Sequence, residues 1–259
     1  MAWRYLLATP LLVVAAGPRS VLRTPPSRAL ALLVLGGGGQ TLVTWLSLSA
    51  LEWLPAASLG FLFYTYPAWV AVFAALAGTE RLTPTRVGAL AIALVGITLM
   101  VGAPWALALP LPGVLRALGA AVIYALYIPL LHRLRGPLDA STASAWIIAG
   151  AAIAFGVVAA SERTLLATMT AEGWVIALVL AGYCTVVAFI TFLKGLAVLG
   201  PVRSSILSTA EPFFTAALAA LILAQPLGPS TVAGGACVVA AILLLQRRTP
   251  ATVDAPVPV

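Results

Sequence analysis

Apolar residues in this sequence fall into long runs, separated by short stretches of proline, glycine and charge. A helix needs about 20 mostly apolar residues to cross the hydrocarbon core of a bilayer. On that measure the pattern predicts spans near 3–17, 28–50, 55–78, 84–102, 114–132, 144–161, 173–194, 201–224 and 230–246, nine helices with short connections. Pro55, Pro84, Pro112, Pro137, Pro201 and Pro229 fall at the predicted boundaries, where a missing backbone donor does least harm. The end of the chain, 249–259, contains Pro250, Pro256 and Pro258 and reads as a disordered tail. Met1–Gly17 admits two readings. Arg4 ahead of an apolar core and the small residues of Val14-Ala15-Ala16 resemble a signal peptide, but a retained helix is preferred.

Composition agrees with the pattern. Of 259 residues, 62% are apolar and 8% charged, and the mean hydropathy is +1.10. Soluble domains carry roughly a quarter charged residues, so this chain has too few to build a water-facing surface. That excludes soluble enzymes, disordered proteins and nucleic-acid binders together. The net charge of +7 then has a different meaning, because Lys and Arg accumulate on the cytoplasmic loops of membrane proteins. Placing the C-terminus in the cytoplasm puts 11 of the 14 basic residues inside and leaves Arg4, Arg116 and Arg163 outside. Trp3, Trp53, Trp105, Trp146 and Trp174 lie near predicted span ends, as interfacial anchors would. Cys184 and Cys237 sit in apolar runs and read as small hydrophobes, with no spacing that suggests zinc or a disulfide.

The chain also repeats itself. Shifted by 145, residues 55–100 lie over 200–245, pairing Pro67 with Pro212, Pro84 with Pro229, Ala71 with Ala216, Leu82 with Leu227 and Leu99 with Leu244. Alanine and leucine are common here, so the paired prolines carry the most weight. The shift moves the third span onto the eighth, an odd number of helices, so the two copies must cross the membrane in opposite directions. Inverted repeats of this kind are a recurring plan of secondary transporters.

Tyr66-Pro67 followed by Gly78-Thr79-Glu80-Arg81-Leu82 and Gly88, and then Glu211-Pro212 followed by Leu227-Gly228-Pro229 and Gly234-Gly235, resemble the EamA family of the drug/metabolite transporter superfamily. The resemblance implies ten helices in two inverted five-helix halves, both termini in the cytoplasm, a central substrate cavity and efflux of small metabolites. The expected fold is therefore an all-α membrane protein of about nine helices in an incomplete 5+5 arrangement. Residues 1–102 form a four-helix first repeat whose opening helix is missing, 113–248 a five-helix second repeat, and 249–259 a cytoplasmic tail. Gln225 stands where the helix-end acid opposite Glu80 is expected.

Ionisable groups inside lipid are costly and usually have a role or a partner. Lys194 and Glu211 stand out, and their similar depth on neighbouring helices suggests an ion pair or a coupling site. The alternative is that Lys194 snorkels to the headgroups while Glu211 hydrogen-bonds locally. Ser204, Ser208 and Glu211 share one helical face, and so do Gln40, Thr44 and Ser47, with Trp45 beside them. Tyr64, Tyr124, Tyr127 and Tyr183 offer amphipathic walls. These residues either line a cavity or bond helix to helix. Gly36-Gly37-Gly38-Gly39 lacks the context of a phosphate-binding loop and reads as a site of close helix approach or local unwinding.

The expected function is a multi-pass secondary transporter of the cell membrane that exports a small organic metabolite, amino-acid-like or drug-like, by alternating access. Its partners are the substrate and the bilayer, with protons or a counter-substrate as coupling options and a homodimer left open. No cofactor, metal site or nucleic acid is expected. The single His132 lies beside Arg133 at a helix end, and no catalytic constellation accompanies it. The alternative is an N-terminally truncated, non-transporting remnant or assembly partner.

Overall fold

The structure is a computed structural model, and it describes residues 1–79, 82–101, 109–163, 170–223 and 228–246. Nine helical rods account for most of these residues. They are α1 (Ala2–Ala16), α2 (Pro26–Ala50), α3 (Ala56–Leu76), α4 (Pro84–Val101), α5 (Leu111–Arg135), α6 (Ala140–Ser161), α7 (171–199), α8 (201–223) and α9 (Pro229–Gln246). A short helical turn, Pro18–Leu22, joins α1 to α2. Glu80, Arg81, Trp105, Gln225, Leu227 and the tail 249–259 lie outside the described residues. Among the described residues five helices are long and apolar enough to cross a membrane, and α1, α4, α9 and the second half of α8 are shorter apolar helices. The protein is an all-α membrane protein.

Helix starts follow local chemistry. The Asp139 side chain accepts from the Thr142 N–H at 3.0 Å and caps α6, and the Thr170 hydroxyl accepts from the Gly173 N–H at 3.1 Å to cap α7. The turn between α7 and α8 depends on Gly200, whose φ of 74° and ψ of 173° suit a residue without Cβ. Pro201 follows at the first position of α8, where its missing N–H costs nothing.

Four rods are interrupted partway along. α2 contains a π-helical turn, Leu35–Gln40, and α7 contains another, Gly182–Val187. α3 breaks at Tyr64-Thr65 and resumes at Tyr66, while α8 breaks at Thr209-Ala210 and resumes at Glu211. In hydrocarbon the carbonyls freed at such breaks need partners. Thr65 Oγ1 donates to the Leu62 carbonyl at 2.6 Å, and Thr209 Oγ1 donates to the Ile206 carbonyl at 2.6 Å. Each resumed segment has proline at its second residue, Pro67 and Pro212. The 145-residue shift carries the break in α3 onto the break in α8, and both ends of α4 onto both ends of α9.

Packing rests on small residues, because lipid supplies no hydrophobic drive between helices and close backbone approach must hold them together. α4 and α9 run antiparallel. A Cβ on Gly88 would lie 3.8 Å from Leu244, whereas one on Gly96 would lie 2.7 Å from the Gly234 carbonyl oxygen and 3.0 Å from the Cys237 and Val238 side chains. In α2, a Cβ on Gly36 would run into the Ile147 carbonyl, and one on Gly150 of α6 would run into the Leu33 carbonyl. The glycine run therefore serves both purposes read from the sequence, close approach and local unwinding. α1 packs Tyr5, Ala8 and Leu12 against Ala145, Ile148, Ala151 and Ala152 of α6. The larger core joins Leu32, Val70, Ile128, Leu131, Ile147, Leu193, Leu196 and Ile206.

The tryptophans divide. Trp3 meets Trp174 edge-on at 4.9 Å, and Arg116 sits 5.7 Å over Trp53 while reaching Glu52 at 3.5 Å. Trp146 is half-buried and packs against the larger core.

Candidate functional site

The four interruptions surround one cavity of about 410 Å3, inside the roughly 300–1,000 Å3 typical of small-molecule sites. α2 contributes Gln40, Val43, Thr44, Ser47 and Leu48; α3 contributes Phe63 and Tyr66; α5 contributes Tyr124 and Tyr127. α7 adds Cys184, Ala188, Phe189 and Phe192, α8 adds Ser208 and Glu211, and α1 adds Arg4. Thr185, beside this wall, lies about 21 Å from either end of α7 at 1.5 Å per residue. The cavity is thus half-way along α3, α5, α7 and α8, and near the start of α1.

One wall is aromatic. Tyr66 and Tyr124 meet edge-on at 4.9 Å, Phe63 lies 5.4 Å from Tyr124, and Tyr124 stacks on Tyr127 at 6.0 Å. Tyr66 reaches its place because α3 resumes there after the break, and its hydroxyl donates at 3.4 Å to the Ser205 carbonyl. A Cβ at Gly39 would lie 2.8 Å from the Tyr127 ring, so glycine there makes room for it. The Tyr127 hydroxyl is buried and has no hydrogen-bond partner among the described residues.

Charge enters from two sides. Glu211 opens the second half of α8, where helix N–H groups favour an anion, and the Tyr64 side chain lies near its carboxylate. Arg4 reaches in from α1. Its Nε donates to Thr185 Oγ1 at 2.7 Å and its Nη2 to the Cys184 carbonyl at 3.0 Å. Both acceptors belong to the π-helical turn of α7, where the wider winding disturbs the usual carbonyl pairing.

The residues singled out from sequence separate clearly. Gln40, Thr44, Tyr124, Tyr127, Ser208 and Glu211 line the cavity together. Tyr64 stands behind it, 6.4 Å from the Tyr66 ring. Trp45 is 57% exposed and Tyr183 72%, both turned to the outside of the bundle. Trp45 follows Thr44 by one residue, about 100° around the helix, which takes it off the cavity face. Ser204 is buried one turn before Ser208 and receives the Ser208 hydroxyl on its backbone carbonyl at 3.0 Å. Lys194 and Glu211 form no ion pair: Leu193 and Leu196 occupy the core side of α7, and Lys194 between them is exposed. Arg4, assigned from sequence to the exterior, is a cavity residue. The available signal was its place in an apolar helix, where an ionisable side chain is functional by default. Cys184, read as a small hydrophobe, is exposed on the cavity wall. No group of three or more metal-ligating side chains occurs among the described residues.

A second, more open groove of about 560 Å3 runs along α2 and α5 between Leu30, Val34, Leu130 and Leu134. Its lining is aliphatic and glycine apart from Ser27, whereas the smaller cavity gathers several polar and charged side chains.

The profile of the EamA-like transporter family matches residues 1–102 and 111–247. The chain belongs to this family. Members are transporters rather than enzymes, and family membership makes the chain a transporter of the drug/metabolite type. No curated protein matches the sequence. Among solved structures, one crystal structure of a protein superposes with a TM-score of 0.80 at 22% identity, covering 95% of this chain and 85% of that one. At that identity the likeness concerns the fold alone.

Proposed function

We propose that the protein is a secondary transporter that exports a small organic metabolite by alternating access, with the cavity as its substrate site. The observation that carries this reading is one cavity at mid-depth, walled by helices of both halves and by the interruptions in α2, α3, α7 and α8. Discontinuous helices around a midplane site are the usual construction in secondary transporters. The antiparallel packing of α4 on α9, which the 145-residue shift relates, favours an inverted repeat. Two related halves of opposite orientation give two packings of near-equal energy, one open to each side.

The C-terminus is cytoplasmic in this proposal. Support comes from the 11-to-3 division of basic residues and from their meeting at one end of the bundle. Arg28 lies 3.0 Å from where a Gly136 Cβ would sit, and Arg135 donates to the Leu193 carbonyl at 2.7 Å. Flux is outward, and Glu211 is the acid placed to couple it to protons.

Metabolite profiling of cells overexpressing the chain tests the proposal. Export predicts lowered internal and raised external levels of particular compounds. Unchanged levels of every compound would contradict it. The Glu211→Gln variant should lose the pH dependence of that efflux, and an unaltered pH profile would end the coupling role.

A further inference from the structure

The open groove on the outside of the bundle has a mouth and a closed inner end. At the mouth α2 begins and α5 finishes, with Ser27 and Leu134 on the lining. From there Leu30, Val34 and Leu35 of α2 run beside Leu130 of α5, down to Gly38 and Gly39 in the π-helical turn. The inner end lies where Gly39 meets the Tyr127 ring. A Cβ on Gly38 would touch nothing within 4 Å, so the space beside it is open. Ser27 to Gly39 spans about 18 Å at 1.5 Å per residue. One leaflet of a hydrocarbon core about 30 Å thick is about 15 Å deep. The groove therefore runs the depth of one leaflet.

Its mouth is basic. The Arg28 guanidinium crosses from α2 to the end of α5, where its Cζ, Nη1 and Nη2 lie 3.0, 3.1 and 3.2 Å from the place of a Gly136 Cβ. It makes no hydrogen bond or ion pair among the described residues. Arg133 is exposed in the last turn of α5, next to Leu134. A guanidinium fork matches phosphate oxygens two at a time, and basic pockets between membrane helices bind anionic headgroups. A second copy of the chain fits less well. Copies in one membrane share an orientation, so a two-fold contact across this groove would bring Arg28 and Arg133 of both together. We propose that the groove binds one anionic phospholipid, its phosphate on Arg28, Arg133 and Ser27 and one acyl chain along Leu30, Val34, Leu130 and Leu134 as far as Gly38. This site faces the bilayer and is independent of what the cavity carries.

Native mass spectrometry of the purified full-length chain tests the assignment, with dioleoyl phosphatidylglycerol and dioleoyl phosphatidylcholine offered at equal concentration. One phosphatidylglycerol should bind in preference by about fivefold or more, the scale of one arginine near an anionic headgroup. Arg28→Gln should remove most of that preference, and Arg28→Lys should keep part of it. Gly38→Phe fills open space and should remove the first bound lipid of either kind, whereas Gly156→Phe, also in open space but on α6, should not. The proposal fails if the two lipids bind alike, if Arg28→Gln keeps the preference, or if Gly38→Phe leaves the site occupied. Glycerol 3-phosphate carries the phosphate without the chains. Displacement of the lipid by it at comparable concentration would make this a site for a free anion and overturn the lipid. A dimer that excludes lipid, and that Gly38→Phe splits into monomers, would assign the groove to a second copy and overturn it equally.

Discussion

Tyr127 puts a buried hydroxyl where no described residue gives it a hydrogen-bond partner. An unsatisfied buried polar group costs about 1–3 kcal/mol, so Tyr127→Phe should leave thermal stability unchanged or raised while weakening ligand binding. A fall in unfolding temperature with binding intact would make the residue a packing element instead. At this scale the sequence was partly legible. Gln40, Thr44, Ser208 and Glu211 could be found because a polar atom in an apolar helix must be accounted for, and a cavity is one of few accounts available. Trp45 and Tyr183 misled because the rotational phase of a helix decides whether an aromatic ring faces inward. A π-helical turn, as at Gly182–Val187, also resets that phase within a few residues. Arg4 was hidden by a competing explanation, since basic residues near span ends ordinarily mark topology. Lys194 and Glu211 were matched by depth, and depth says nothing of direction around the axis.

At the scale of elements, backbone contact holds the rods together and should be sensitive to single methyl groups. Gly150→Leu would drive its side chain into the Leu33 carbonyl on α2. Overpacking of this kind costs about 1–3 kcal/mol, to be read as a lowered unfolding temperature in detergent, while Gly156→Leu, with open space around it, should be tolerated. Gly200→Ala would place a Cβ at a φ of 74° in a region nearly restricted to glycine, with a cost of about 1–3 kcal/mol. Equal stability in all three variants would contradict the packing described. The nine rods were legible because apolar runs must be long enough to cross lipid. Their interruptions were not. Pro67 and Pro212 fall at the second residue of a resumed helix, and from sequence alone such a proline looks like an ordinary member of an apolar run. Only its recurrence at a spacing of 145 marked it.

At the scale of the molecule, the repeat was visible as a 145-residue shift, and the family match covers two stretches, 1–102 and 111–247; the antiparallel packing of α4 on α9 supports the proposed inversion. What brings Arg4, Tyr127 and Glu211 around one space is the packing of α1, α5 and α8, which no local pattern encodes. In the proposed transport cycle this space opens in turn to the two sides of the membrane. Cys184 is exposed on the cavity wall and reports on that directly. In a Cys237→Ala background, labelling by a membrane-impermeant maleimide is measured in right-side-out and inside-out vesicles. Alternating access predicts modification of Cys184 from both sides. Modification from one side alone, with the other side inert over the same time, would contradict it.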